Sequence, residues 1–518
     1  MLLEACGGEV RDGRGATAGF RSGPTVGGGG HDVLVHFGQT GPVRIGVEQL
    51  VRALGEWQRA GVPLVEALDG AVREAVLDGR LRVGGTLPAE RRIAEGLDVS
   101  RGTVVASLLR LRGSGWARTR HGSGTTLQLP PRAAERIAPL SADGSGSSID
   151  LRRAVPAAPR AGYLVAAARA LERAGPALAQ GGQSGAGLPE LRASIARRYT
   201  REGLPTRPEQ ILVTAGARAA LALLAAHLRP RVAAVENPTY PRAVALLRGG
   251  GARVVGLRVG TEGWDPDQLR AALAAARGGL AYLVPDFQNP TGALMDTATR
   301  RDVAATAAEH RVTVVADETL RDLYLEEPAR LPPRIRRAVL VGSVSKAVWA
   351  GLRVGWIRAP EAALIGELLH HPLCEPLSAP PMEQLIAVEL LGELDPLLRR
   401  RRAELRAQRD HLADRLAEDG RWEFTVPRGG LVLWLRLNGV RADAVTARAS
   451  AAGLHLAPGP HFAVDGTLTR YLRVPYTPPP DTLDRIAEIL GAACGPPAGG
   501  PDAPLLARRA GGSVSARP

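Results

Sequence analysis

The chain has 518 residues, 45% of them hydrophobic, with 66 basic and 52 acidic side chains and a net charge of +14. That composition supports folded cores in more than one domain, and the positive balance favours polyanionic partners. No apolar run reaches about 18 residues, which argues against a membrane-spanning helix, and Cys6, Cys374 and Cys494 are too widely spaced for a disulfide framework or a metal site.

Residues 1–45 are rich in glycine around Gly27–Gly30 and do not begin with a basic region and apolar stretch, so we expect a disordered extension without a signal peptide. Val47, Leu50, Val51, Leu54 and Trp57 recur at helical spacing and predict a short helix over about 46–60. Leu64, Leu68, Val72, Ala75 and Val76 predict a second, ending at Asp78-Gly79. Leu87-Pro88-Ala89-Glu90 starts another helix, with Pro and an acid in its first turn. After a tight break at Gly96–Val99, Ser100 is suited to cap a helix running to about Leu111, with Val104, Leu108 and Leu111 on its apolar face. Two short helices joined by a tight turn form a helix-turn-helix unit, whose second helix meets the major groove through its N-terminal residues. The segment Trp116–Thr125 alternates and turns at glycine, as a β-hairpin wing does. From Val99 to Ala134 there is no acidic residue, whereas Arg101, Arg110, Arg112, Arg118, Arg120 and Arg132 are present, a balance suited to neutralising phosphates.

The stretch LDGRLRVGGTLPAERRIAEGLDVSRGTVVASLLRLRGSGWARTRHGSGT resembles the GntR-type winged-helix domain. The resemblance implies a double-stranded DNA operator faced by Arg91, Ser100, Arg101 and Thr103, with His121 and Gly122 at the wing tip entering the minor groove. Val105 stands where some members carry a base-contacting Arg, so the operator sequence does not carry over. Next, Pro130-Pro131 and the Gly/Ser run from Ser141 to Ser148 predict a linker. The expected division is therefore 1–45 extension, 46–128 winged helix with its leading helix, 129–150 linker, 151–494 large domain and 495–518 disordered tail.

In the large domain five short apolar runs each end in a polar signature. Residues 210–214 lead to Ala215-Gly216-Ala217-Arg218; Val232–Val235 to Glu236-Asn237-Pro238-Thr239-Tyr240; Leu280–Val284 to Pro285-Asp286-Phe287-Gln288-Asn289-Pro290-Thr291-Gly292; Val312–Ala316 to Asp317-Glu318; and Ala338–Val341 to Gly342-Ser343-Val344-Ser345-Lys346. Strands alternating with helices predict a mostly parallel sheet, and ligands of such sheets lie beyond the carboxyl ends of the strands. Lys346 is the single lysine of the chain, the other 65 cations being arginine. A guanidinium cannot replace an amine as a nucleophile, so a lone lysine at this edge marks chemistry that needs a primary amine.

That chemistry fits pyridoxal phosphate. Lys346 is placed to form an imine with its aldehyde, and Asp317 to keep the pyridine nitrogen protonated. Gly216 and Ala217 offer a helix N-terminus to the phosphate. Ser343, Ser345, Arg218 and Arg353 complete the cup, Asn289 is suited to bond the ring hydroxyl, and Tyr240 to stack on the ring.

Segments GLPELRASIARRY, PDFQNPTG, VVADE, GSVSKAVWAGLRVGW and PRGGLVLWLRL resemble fold-type I aminotransferases over about 150–494. This resemblance implies that Arg473 binds the α-carboxylate of an amino-acid ligand and that the active sites lie at the interface of a homodimer. Joined to the winged helix, the whole resembles the MocR-type subgroup of GntR regulators. The fold class expected is multidomain: an N-terminal α/β winged helix-turn-helix, then an α/β fold-type I aminotransferase with a mostly parallel sheet and a smaller C-terminal α/β domain. The chain departs from the family pattern at Thr319 and Leu320, where a Tyr is frequent, at Gly182, where an aromatic hydroxyl is frequent, and at Arg218, which replaces a common Gln. The functional expectation is a cytoplasmic transcription regulator that senses an amino acid, an amine or the cofactor itself, without membrane or metal. The alternatives are a working aminotransferase with an appended DNA module, and a scaffold that binds DNA without cofactor.

Overall fold

A computed structural model describes residues 44–58, 61–78, 80–120, 124–128, 130, 148–179, 185–326, 331–417, 419–495 and 507–509. Nearly all of the expected extension, most of the linker and tail, the wing tip with His121 and Gly122, and Gly182 lie outside these residues.

The first domain contains α1 (Val47–Leu54), α2 (Leu64–Leu77), α3 (Glu90–Leu97) and α4 (Arg101–Gly113), followed by β1 (Ala117–Arg120) and β2 (Gly124–Leu127). Leu50, Leu68, Val72, Ile93, Val104, Leu108, Leu111 and Leu127 are buried together, and each such side chain contributes about 1.5–3 kcal/mol by leaving water. Helix α3 begins three residues later than its sequence suggests. Leu87 N–H donates to Thr125 O at 2.8 Å, so residues 87–89 are held against the wing. Helix α3 also passes through Gly96, where a Cβ would lie 2.3 Å from Val47 Cγ1; only glycine lets α1 pack this close. Asp98 then turns the chain in the left-handed region (φ 52°), and the Ser100 hydroxyl accepts Thr103 N–H at 3.0 Å, capping α4 as expected. Strands β1 and β2 pair antiparallel with Thr119 opposite Thr125, making the wing.

The expected linker ends two residues early. Strand β3 (Ile149–Asp150) pairs in parallel with Leu454–His455 and ties the start of the large domain to its far end. The large sheet comprises β4 (Ile211–Thr214), β5 (Val232–Asn237), β6 (Arg253–Gly260), β7 (Gly263–Trp264), β8 (Leu280–Leu283), β9 (Thr313–Asp317), β10 (Val339–Ser343) and β11 (Gly355–Arg358). Their order is 4-11-10-9-8-5-6-7. Strand β11 runs antiparallel between β4 and β10, and β7 is a short antiparallel partner of β6; the remaining pairs are parallel. Strands β4, β8 and β10 are buried throughout, as a sheet covered on both faces requires.

A smaller sheet holds β12 (Trp422–Val426), β13 (Val432–Leu437), β15 (Ala457–Pro458), β16 (Tyr471–Pro475) and β17 (Ala507–Arg509), where β14 is Leu454–His455, the partner of β3. Strand β17, from the stretch expected to be a tail, lies parallel to β12.

The two domains meet where α2 ends. Leu468 N–H donates to Leu77 O at 2.6 Å. The Asp78 carboxylate, 2% exposed, faces Arg80 at 3.3 Å, Arg470 at 3.5 Å and Arg436 at 3.7 Å. Arg470 and Arg436 belong to the large domain, so a buried acid of the first domain is neutralised largely by the other domain. Among the described residues, no helix is long and apolar enough to cross a membrane, and no group of His, Cys, Asp or Glu could hold a metal.

Candidate functional site

All five polar signatures lie at the carboxyl ends of their strands, and Asp317, at the end of one of them, acts on Lys346 at the end of another. The amine of Lys346 donates to Ala154 O at 2.6 Å. Burial, helped by the charges of Arg473 and Arg153 and opposed by Asp317, lowers its pKa to about 8.

Asp317 closes β9. Its Oδ2 accepts the Tyr282 hydroxyl at 2.7 Å and its Oδ1 accepts Thr319 N–H at 3.0 Å, so the carboxylate is held from both sides. Tyr282 is fully buried on β8, and its phenol is pushed up by burial and by the adjacent carboxylate. Sequence reasoning passed over it. The available signal was a hydroxyl in an otherwise apolar buried run, Leu280-Ala281-Tyr282-Leu283-Val284.

Arg473 lies on β16 with 6% exposure. Its Nη1 donates to Asn289 Oδ1 at 3.2 Å, its Nη2 donates to Arg152 O at 2.6 Å, and its guanidinium lies 4.6 Å from the Phe462 ring centroid. Its Nε, though buried, has no hydrogen-bond partner. Burial lowers the guanidinium pKa to about 10, which leaves it charged at neutral pH. Lys346 and Arg473 are thus both fastened to backbone carbonyls of one short segment, residues 152–154, just after β3. Carbonyl partners have no side-chain signature, so this strap could not be read from sequence.

Tyr240 is half-buried at the N-cap of helix Pro241–Gly249, and burial raises its phenol while Arg242, Arg218 and Arg153 oppose that rise. The loops bearing Tyr240 and Asn289 are stitched together by Glu236 and Gln288. Glu236 is fully buried and accepts Trp264 Nε1 at 3.1 Å, Val284 N at 3.0 Å, Gln288 Nε2 at 3.0 Å and Thr239 Oγ1 at 3.4 Å. Gln288 Nε2 also donates to Pro238 O at 2.8 Å, and its Oε1 accepts Thr291 Oγ1 at 2.8 Å. Burial pushes the Glu236 carboxyl up to about 7 against these four donors.

Gly216 precedes helix Ala217–Leu228 with φ 94°, a conformation that favours glycine. Gly355 must also lack a side chain, because a Cβ there would lie 2.6 Å from the Gly216 carbonyl carbon. Arg218 and Arg353 are exposed nearby in sequence, Arg353 in the left-handed region at φ 50°. Ser343 closes β10. Its hydroxyl donates to Val354 O at 2.9 Å and accepts Ser345 N–H at 3.1 Å, so it braces the turn presenting Ser345 and Lys346.

In the winged helix, Arg91, Ser100, Arg101, Thr103 and Arg118 are exposed or half-buried on one small domain. Arg91 pairs with Glu95 at 3.1 Å and Arg101 with Glu90 at 3.5 Å, exposed pairs of the kind worth little that phosphates can displace. The Ser100 and Thr103 hydroxyls share a 2.9 Å hydrogen bond. Arg120 closes β1; His121 and Gly122 fall outside the described residues.

Residues 145–490 match the family described as aminotransferase class I and II, and residues 64–127 match the bacterial regulatory proteins of the gntR family. The HTH-type transcriptional regulator YisV of Bacillus subtilis is 27% identical over 74% of this chain and 86% of its own length. The pyridoxine biosynthesis transcriptional regulator PdxR of Corynebacterium glutamicum is 28% identical over 76% of this chain and 87% of its own. A 2-aminoadipate transaminase of Thermus thermophilus is 32% identical over 56% of this chain and 75% of its own. Among solved structures, the α-aminoadipate aminotransferase LysN of Thermus thermophilus superposes with a TM-score of 0.62 at 28% identity, covering 67% of this chain and 92% of that one.

Proposed function

Since the chain belongs to the aminotransferase class I and II family and carries a GntR-family DNA-binding region ahead of it, the pairing of MocR-type regulators, we propose that it is a transcription regulator whose aminotransferase-like domain binds pyridoxal phosphate and reads an amino compound. The observation that carries this reading is the strap. Lys346 Nζ and Arg473 Nη2 both bond to carbonyls of residues 152–154, a segment that follows the DNA-binding region in sequence.

The residues fit the cofactor. A buried amine of lowered pKa, a carboxylate fixed by Tyr282 and Thr319, and a helix N-terminus at Gly216-Ala217 against which Gly355 packs suit an aldehyde, a pyridine nitrogen and a phosphate respectively. When bound, the group supplies an electrophilic carbon for an amine and a ring that withdraws electrons from it. Lys346 serves that carbon only by giving up Ala154 O. Arg473 takes a carboxylate through two parallel N–H bonds, one from the presently unpaired Nε, by giving up Arg152 O or Asn289. Each exchange loosens residues 152–154. Because the released and strapped states make different contacts with ligand, ligand shifts their balance and thereby the placement of the winged helix. A homodimer with two winged helices would favour repeated half-sites.

The likeness to a 2-aminoadipate transaminase favours a second reading, an enzyme with an appended DNA module. One experiment separates them. Holo protein is screened against amino acids and amines for visible-absorbance shifts, and each responder is then incubated with a keto acid. The regulator reading expects a saturable shift without sustained turnover; the enzyme reading expects product at about one per second or faster.

A further inference from the structure

We propose that residues 462–473 relay occupancy of the Arg473 site to the winged helix by direct contact with the end of α2, a route separate from the strap. The proposal rests on the ligand-sensing reading above and adds a path by which the two domains communicate.

The segment touches both places. At its start, the Phe462 ring lies 4.6 Å from the Arg473 guanidinium, and the Phe462 carbonyl accepts Thr239 N–H at 2.9 Å, which ties it to the Tyr240 loop. Toward its end, Leu468 N–H donates to Leu77 O at 2.6 Å, and Arg470 faces Asp78 at 3.5 Å and Glu74 at 3.9 Å. The first contacts belong to the ligand site, the second to the end of α2.

A packed core joins them. Phe462, Leu468, Trp434 and Ala457 are buried together. Trp434 meets Phe462 edge to face at 5.9 Å, stacks on Tyr471 at 5.3 Å, and stands opposite Arg473 in the register of β13 and β16. Close-packed side chains pass on a displacement because they leave little void to absorb it. The middle of the segment is pinned. Asn237, at the carboxyl end of β5, donates to Asp465 at 3.3 Å and accepts Val464 N–H at 2.9 Å. Movement at Phe462 is therefore taken up by its packed neighbours and not lost in a loose loop.

Leu468 gives the relay a second position. It holds φ 64°, a left-handed conformation that a leucine adopts only under constraint. Its carbonyl lies so close to Gly459 that a Cβ there would sit 2.2 Å away. This crowding and the bond to Leu77 O hold the strained backbone, so loosening either favours its ordinary conformations. On the α2 side, Asp78 Oδ1 is buried without a hydrogen bond and faces Arg470 Nε at 3.5 Å, which leaves that contact room to tighten or release. A carboxylate that draws Arg473 toward itself changes the seat of the guanidinium on Phe462. The shared core carries that change to Leu468 and so to α2.

The test loads full-length apoprotein with N-(5′-phosphopyridoxyl)-L-alanine or with N-(5′-phosphopyridoxyl)ethylamine, which lacks the carboxylate, so the pair differs only in the group meant for Arg473. Amide hydrogen exchange at Leu468 should be at least about five-fold faster with the carboxylate adduct, and operator affinity should differ by about five-fold between the two. Arg470→Gln leaves Asp78 its Arg80 and Arg436 partners; it should bind both adducts as wild type does yet erase the operator difference. Phe462→Leu should erase the exchange difference at Leu468 as well. Equal Leu468 exchange with the two adducts, or an operator difference retained in both variants, overturns the relay and leaves the sensing reading standing. Operator affinity that neither adduct changes relative to apoprotein removes the sensing reading itself and this proposal with it.

Discussion

Mixing apoprotein with pyridoxal phosphate over a range of pH measures how far burial loosens the proton on Lys346. An ordinary lysine, near 10.5, has about 0.03% of its amine free at pH 7, whereas one at about 8 has roughly a tenth free, a gain of about 300-fold in reactive form. The observable is the growth of visible absorbance in a stopped-flow instrument between pH 6 and 10.5. Its rate should rise ten-fold per pH unit and bend to a plateau near pH 8. Arg473→Gln removes a cation that disfavours the charged amine, so the bend should move upward, yet stay below 10.5 because burial is the larger cause. The same shift has a thermodynamic sign. The fold disfavours the protonated lysine, so this group's contribution to apoprotein stability improves as pH rises from about 8 toward 10.5. A wild-type rate that keeps climbing past pH 10 without a bend would refute the reasoning.

Other substitutions test other links. Asp78→Asn leaves Arg436 and Arg470 without their buried acid; because both guanidiniums keep some solvent, the loss should be about 1–3 kcal/mol, read by urea unfolding, with faster protease cleavage between the domains. Glu236→Ala strips the acceptor from four donors and unties the Tyr240 loop from the Asn289 loop, so stability should fall by about 3 kcal/mol or more and cofactor affinity should weaken in equilibrium dialysis. Arg101→Gln, at the start of α4, should weaken binding to all DNA sequences alike and reduce the salt slope of log K by about one if it contacts phosphate.

The strands that carry the site were legible because each apolar run ends abruptly in polar residues, as at Val314-Val315-Ala316-Asp317, and a sheet buried on both faces needs such runs. The Ser100 cap was legible for a similar local reason, since its hydroxyl has a partner three residues away. Non-local contacts were not. Leu87 reads as a helix start until Thr125, on the wing, takes its N–H. Nor does the sequence around Ser343 show that its hydroxyl meets the Val354 carbonyl. The strap at residues 152–154 works through carbonyl oxygens, which every residue has, and Asp78 meets arginines more than 350 positions away. Local chemistry marked which residues matter. Long-range packing decided which of them hold the fold and which face a ligand.

The central claim is that occupancy at Lys346 is communicated to the DNA reader. The most direct measurement is the affinity of full-length protein for its operator, by fluorescence anisotropy at fixed salt, with apoprotein, holo protein and Lys346→Ala in excess pyridoxal phosphate. The account predicts that holo protein differs from apoprotein by about five-fold or more, the scale of a coupling near 1 kcal/mol, and that Lys346→Ala behaves as apoprotein. Identical affinities in all three would contradict it.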